Sequence, residues 1–237
     1  MSILAKNISK RYMTKWALRG VSVDIPTGTV AGLLGENGSG KSTLLRILAG
    51  ITRPTGGDVK LNDQPLTTGM KRSISYVTET DSLYGWMRVK QQQEFLSSFY
   101  PDWDHNKSRD LISLMRLGND EKISTLSKGQ RGRLGVALAF SRSASVVLLD
   151  EPFGGIDPPS RKRILETLIS EFREEDQTIL MSTHLVSEVE GTIEHVHYIH
   201  RGEIAISGQS DALRETRGKS LNEIFDTVIF GESGGQL

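Results

Sequence analysis

The sequence predicts an α/β protein built on a largely parallel sheet and interrupted by a block of helices. Three observations carry this. Residues 30–34 (VAGLL) are a short apolar run that gives way to a glycine-rich turn and then to a helical pattern placing Leu44, Leu45 and Leu48 on one face. Residues 146–149 (VVLL) are a second run of β-formers, ending in Asp150 and Glu151, as expected of a strand buried on both faces whose carboxyl end opens into a site. From about residue 82 to 142 helical spacing takes over, which reads as an inserted helical subdomain.

Composition narrows the classes of function. The 237 residues, 37% hydrophobic and 24% charged, suffice for one well-buried core with a subdomain. Twenty-nine Lys and Arg balance 29 Asp and Glu, so no overall basic field gathers nucleic acid, which is not an expected partner. With no cysteine, disulfides and thiolate metal sites are excluded. The chain opens without a basic and then apolar secretory segment, and its apolar runs fall far short of the roughly 20 residues of a membrane span. A cytoplasmic location is therefore expected, and any membrane role is expected to come through a partner.

In chain order, residues 3–8 and 21–25 alternate apolar and polar side chains as half-buried strands do, and Pro26-Thr27-Gly28 closes the second with a turn. Tyr12 lies in the connection, where its ring can stack on an adenine or serve as a satellite packing residue. The stretch that follows residue 34, Gly35-Glu36-Asn37-Gly38-Ser39-Gly40-Lys41-Ser42-Thr43, contains G-x-x-x-x-G-K-S between a strand and a helix. Glycines 35, 38 and 40 are expected to take positive φ and to let successive N–H groups point at an anion. Lys41 adds a full charge, the helix adds its unpaired N-terminal amides, and Ser42 offers a hydroxyl to Mg²⁺. The expected ligand is the β- and γ-phosphates of a nucleotide.

Strand-like segments at 58–61 and 74–77 follow, with Glu79 just past the second. A carboxylate there can sense a metal or an attacking water, or be a solvated loop acid. In the helical block, residues 89–100 read as one helix, and Asp104 as the cap of another running to Leu117 and stopping at Gly118. Trp86, Phe95, Phe99, Tyr100 and Trp103 cluster there, some for core packing and some for an external helix, in proportions that composition does not divide. Leu126-Ser127-Lys128-Gly129-Gln130 precedes an apolar helix that continues to about Ser141, and a serine and glycine at a helix start make a second anion seat. One nucleotide does not need two seats, so the second suggests a phosphate held by another copy.

At the end of the acid-tipped strand, Asp150 is placed to hold Mg²⁺ through water and Glu151 to polarise the attacking water. Asp157 and Pro158 read as N-cap and first residue of the next helix. His184 directly follows the strand at 178–182, where a neutral imidazole can donate to a γ-phosphate. His195, His197 and His200 lie close together, but no cysteine or nearby acid completes a metal geometry. Beyond them the chain shows a short strand, a helix capped by Ser210 and an apolar piece at 221–230.

The ordered set of glycine-rich loop, Leu-Ser-Lys-Gly-Gln at 126–130, acid-tipped strand at 146–151, Gly155-Ile156-Asp157 and His184 resembles an ABC-type ATPase over nearly the whole chain. The resemblance implies a P-loop NTPase (RecA-like) core with an antiparallel β subdomain. It implies one domain over 1–237, with the core at about 1–80 and 143–209, the helical subdomain at about 81–142 and a C-terminal tail at about 210–237. Two such chains would sandwich two molecules of ATP with Mg²⁺, each phosphate chain touched by Lys41 and its loop on one side and by Ser127, Gly129 and Gln130 of the second ATPase chain, identical or paralogous, on the other. Closure would drive a separate integral-membrane transporter subunit from the inner face of the cell membrane. Tyr12 falls at the family's adenine-stacking position. The chain departs from the family at Glu79, where Gln is usual, and at Lys128, where Gly is usual. Residues 76–104 resemble ATPase subunits of bacterial export systems, including YtrB-like and bacitracin-exporter-like ones, in which Glu79 would be a subgroup trait with a metal-sensing role. A non-transport ABC ATPase, acting as a nucleotide-switched binding module, is the alternative.

Overall fold

The structure, a computed structural model, describes residues 1–78 and 83–231. A long hairpin opens it, β1 (Ile3–Tyr12) and β2 (Lys15–Ile25), followed by β3 (Val30–Leu34) and α1 (Lys41–Leu48). After β4 (Gly56–Leu61), β5 (Gln64–Pro65) and β6 (Ile74–Val77) come three helices, α2 (Val89–Ser97), α3 (His105–Leu114) and α4 (Lys128–Phe140). The chain returns through β7 (Val146–Asp150), α5 (Pro158–Thr167), β8 (Thr178–Thr183), α6 (Val186–Val189), β9 (His195–His200) and β10 (Glu203–Gln209), and closes with α7 (Ser210–Arg217) and α8 (Leu221–Gly231).

Two sheets result. One is antiparallel, in the order β2-β1-β4-β5, and the other is six-stranded, in the order β10-β9-β3-β8-β7-β6. The second is parallel from β9 to β6, with β10 as its antiparallel edge. Strand alternation divides the core between its two faces. Val147, Leu149, Ile179 and Met181 pack with α4 and α5 on one face, while Val146, Leu148 and Leu180 pack with α1 and the antiparallel sheet on the other. Every side chain of β7 is buried, and each of its aliphatic residues contributes about 1.5–3 kcal/mol by leaving water. That burial holds the acids at its end in a fixed place.

The helix starts follow the capping residues. Asp104 accepts from the amides of Asn106 and Lys107, and Asp157 accepts from that of Ser160. Three ends differ from the sequence expectation. The first of the inserted helices stops at Ser97 rather than Tyr100. The second ends at Leu114, because Arg116 takes a left-handed φ of 53° and reverses the chain before Gly118 is reached. Ser210 is the buried first residue of α7, and Gln209 occupies its cap position.

His197 on β9 is 2% exposed, with Nδ1 2.8 Å from Ser207 Oγ of β10 and Nε2 without a partner among the described residues. Burial, helped by the neighbouring His195, lowers its pKa from 6.5 to about 4. The unfolded chain therefore takes up this proton at a higher pH than the folded one, and stability present above about pH 6.5 is lost as pH falls towards 4, by ~3 kcal/mol in all. His197→Phe should flatten denaturation midpoints between pH 7 and 4.5. A variant keeping the wild-type slope would show that another group binds the proton.

Candidate active site

The glycine-rich loop joins β3 to α1 at the carboxyl edge of the parallel sheet. Gly38 and Gly40 have φ of 81° and 116°, the left-handed region expected of them. Gly35 does not; its lack of a side chain is a matter of space, because a Cβ there would lie 2.4 Å from the carbonyl oxygen of Ile199. A Cβ on Gly40 would sit 2.7 Å from the carbonyl of Ala17, so the loop is pressed between β9 and the opening hairpin. No side chain caps α1, which leaves its first amides directed at the same spot as the loop. Lys41, 5% exposed, folds back along the loop and donates to the carbonyls of Gly35 at 2.7 Å and Glu36 at 3.1 Å.

Asp150 is fully buried, and hydroxyls satisfy it. Its Oδ1 accepts from Ser42 Oγ at 3.0 Å and Ser182 Oγ at 2.8 Å, and its Oδ2 accepts from Tyr76 OH at 3.3 Å. Burial first, and the charge of Asp150 second, raise the pKa of Tyr76 above the ordinary phenol value, so the proton stays available for donation. Ser182 also accepts from the backbone N–H of Glu151 at 3.1 Å, tying the two acids together. Sequence reasoning picks out neither Tyr76 nor Ser182. The available signal is their place near the ends of strands flanking the acid-tipped one, and it becomes readable only once strand order is known.

Glu151 adopts a left-handed φ of 46°, an uncommon conformation for a residue with a side chain, which turns its carboxylate out of the strand and over the loop. There Oε1 lies 3.3 Å from Lys41 Nζ, and both carboxylate oxygens lie 3.1 Å from His184 Nδ1. Lys41, Glu151 and His184 thus form one chain of contacts, as their shared sheet edge predicts. A cleft of about 490 Å³ opens beside them, lined by Tyr12, Lys15, Trp16 and Ala17 of the hairpin, by Asn37, Gly38, Gly40, Lys41, Ser42 and Thr43, and by Glu151. Tyr12 ends β1 at its mouth, 45% exposed.

The segment expected to be a second anion seat stands apart. Ser127 Oγ accepts from the amide of Gln130, whose side chain accepts from the amide of Ser127, so the pair caps α4 reciprocally. Gly129 is obligatory there, because a Cβ would lie 2.6 Å from the carbonyl of Gly155. Residues 127–130 do not line the cleft that holds the loop. Glu79 lies outside the described residues.

Phosphate-directed amides, a buried lysine, hydroxyl and carboxylate oxygens in contact and a second acid above them are the parts that phosphoryl transfer requires. The family model described as ABC transporter matches residues 18–154, more than half of the chain. The chain belongs to the ABC transporter family. It is the family's ATP-binding and ATP-hydrolysing subunit. The ABC transporter ATP-binding protein NatA of Bacillus subtilis (strain 168) is 31% identical over 94% of this chain and 96% of its own length. The ABC transporter ATP-binding protein YtrB of the same organism is 28% identical over 94% and 77%. Among solved structures, a dimeric post-hydrolysis state of the ATP-binding cassette MJ0796 bound to ADP and Pi superposes with a TM-score of 0.77 at 22% identity, covering 88% of this chain and 98% of that one. The P-loop NTPase (RecA-like) core expected of this ABC ATPase is thereby the fold observed.

Proposed function

We propose that this ABC ATPase powers a bacterial exporter as one of two ATPase chains, identical or paralogous, bound to the inner face of the membrane through a separate integral-membrane subunit. The observation that carries the reading is the separation of two half-sites. Lys41, Ser42, Asp150 and Glu151 meet at one cleft, and Ser127, Gly129 and Gln130 lie off it, available to the nucleotide of a partner chain. The dimeric relative supports such an arrangement, and the resemblance of residues 76–104 to export ATPases supports the direction.

In this reading Tyr12 stacks on adenine, residues 35–43 with Lys41 hold the β- and γ-phosphates, His184 contacts the γ-phosphate, and Glu151 takes the proton of the attacking water. Mg²⁺ fits the residues present: Ser42 and Asp150 place hard oxygen donors 3.0 Å apart, and Asp150 makes no ion pair among the described residues, so its buried charge is free for a cation. Ser42 and Asp150 would hold the ion, which neutralises charge on the phosphates, and the metal-sensing role of Glu79 belongs to the same proposal. The division into a core at about 1–80 and 143–209, a helical subdomain at about 81–142 and a tail from about 210 is likewise part of it.

The helical subdomain supplies the docking face. Its aromatics separate by burial: Trp103 is 9% exposed, whereas Trp86 and Phe99 are 69% and 64% exposed. Trp86, Tyr84, Phe95 and Phe99, in that order, form a ladder with successive ring centroids 4.9–6.1 Å apart. Beside it runs a groove of about 900 Å³ lined by Phe95, Phe99 and Tyr100 together with Arg72 and Arg142, suited to a short helix of the membrane subunit. Purification of the tagged chain from solubilised membranes tests the reading. A stoichiometric integral-membrane protein is expected with it, together with Mg-ATP hydrolysis that Lys41→Ala abolishes by weakening nucleotide binding. A chain recovered alone, or a Lys41→Ala complex that still hydrolyses ATP, would refute it.

A further inference from the structure

The grip on Asp150 is asymmetric, and the asymmetry assigns a role to a residue outside the motifs. Two serines share Oδ1, while among the described residues Tyr76 is the one side chain that holds Oδ2. A hydroxyl has one proton and two lone pairs, so Ser42 Oγ can give a lone pair to the ion while its proton stays with Oδ1, and both bonds then depend on where Oδ1 is held. Ser182 is already committed to the amide of Glu151 as well. The hydroxyl of Tyr76 holds the other oxygen of the carboxylate and so fixes its rotation. The positive charge of Arg46, one turn beyond Ser42 on α1, also acts on this hydroxyl and opposes the rise in its pKa. The carboxylate only accepts, so the phenol proton is the donor in this contact. The bond ties β6 to β7 at the acid, and a neutral phenol there does not occupy the place of a cation.

We infer that Tyr76 is a positioning residue for the metal, holding the carboxylate of Asp150 so that Oδ1 faces Ser42 where the ion binds. The inference rests on the assignment of Mg²⁺ to Ser42 and Asp150 made above. With Phe at this position Oδ2 loses its donor, the carboxylate is free to rotate towards the two serine hydroxyls, and their bonds compete with the ion. Partners of metal ligands in this second layer typically govern affinity by about 10- to 100-fold.

The test uses the full chain with a fluorescent ATP analogue, titrated without metal and with Mg²⁺, and with Mn²⁺ followed by electron paramagnetic resonance at saturating ATP. For Tyr76→Phe, metal-free nucleotide affinity should stay within about twofold of wild type, while the Mg²⁺ midpoint and the Mn²⁺ dissociation constant rise about tenfold. Arg46→Met, which keeps the phenol and removes the positive charge that favours its donation, should move the same two quantities in the same direction by a smaller factor, and it carries the test if Tyr76→Phe does not fold. Unchanged metal midpoints would overturn the inference, and so would an equal loss of nucleotide affinity with and without metal, the mark of a merely structural role. A wild-type chain indifferent to Mg²⁺ would overturn the metal assignment and this inference with it, whereas a normal wild-type response with unaltered variants overturns the role of Tyr76 alone.

Discussion

Glu151→Gln is expected to bind ATP at least as well as wild type while hydrolysing it about 10²- to 10⁴-fold more slowly. The amide matches the carboxylate in shape, so the left-handed turn at residue 151 and its bond to Ser182 are kept. What it loses is the ability to take a proton and the attraction for Lys41 at 3.3 Å. The second loss works in favour of binding, since a lysine no longer paired with a carboxylate is free to move to the phosphates. His184, 3.1 Å from the same carboxylate, keeps its neighbour but not its charge. Phosphate release and equilibrium ATP binding measured on one preparation check the result. A rate near wild type would place the base elsewhere.

The same variant is expected to accumulate as an ATP-bound dimer, and adding Ser127→Arg should abolish that dimer. ATP places negative charge at the start of α4, where amides and the positive end of the helix await it, whereas ADP lacks the γ-phosphate that reaches so far. Ser127 is exposed and caps the helix through Gln130, so an arginine puts bulk at the seat and removes a cap worth about 1 kcal/mol. A melting temperature taken alongside separates the two effects, because loss of a cap alone lowers stability without blocking association. Lys128, at the first position of the helix, adds positive charge to the seat. Sedimentation under saturating Mg-ATP, on the pure chain and again on the membrane complex, decides the matter. A monomer in both settings would sink the composite site, and a dimer in the complex alone would assign the missing affinity to the membrane partner.

Much of this is legible in the sequence because the signals are local. The glycine-rich loop works through consecutive backbone amides, and caps such as Asp104, Ser127 and Asp157 bond amides two or three residues away. Where the expectations failed, a distant contact or an unusual conformation had intervened. Gly35 looked like a positive-φ glycine and proved to be one that makes room for Ile199, and a helix expected to run to Leu117 and stop at a glycine ended at Leu114, before Arg116 turns the chain. The aromatics of the helical block were visible as a group, yet only burial separates Trp103 from Trp86 and Phe99.

The sequence by itself determined the parallel α/β core, the glycine-rich turn between β3 and α1, the acid pair at the end of β7 and the serine-capped helix start at residues 127–130, since each is written in a run of neighbouring residues whose periodicity or backbone chemistry needs nothing from afar. The tertiary structure alone decided how the acids are held. Strand order brings Ser42, Tyr76 and Ser182 to Asp150 across sequence separations of 108, 74 and 32 residues, and a left-handed turn carries Glu151 to Lys41 and His184. No periodicity records such meetings, because in a parallel sheet adjacent strands are joined through long crossovers, and a buried carboxylate takes its donors from whichever strand ends lie beside it.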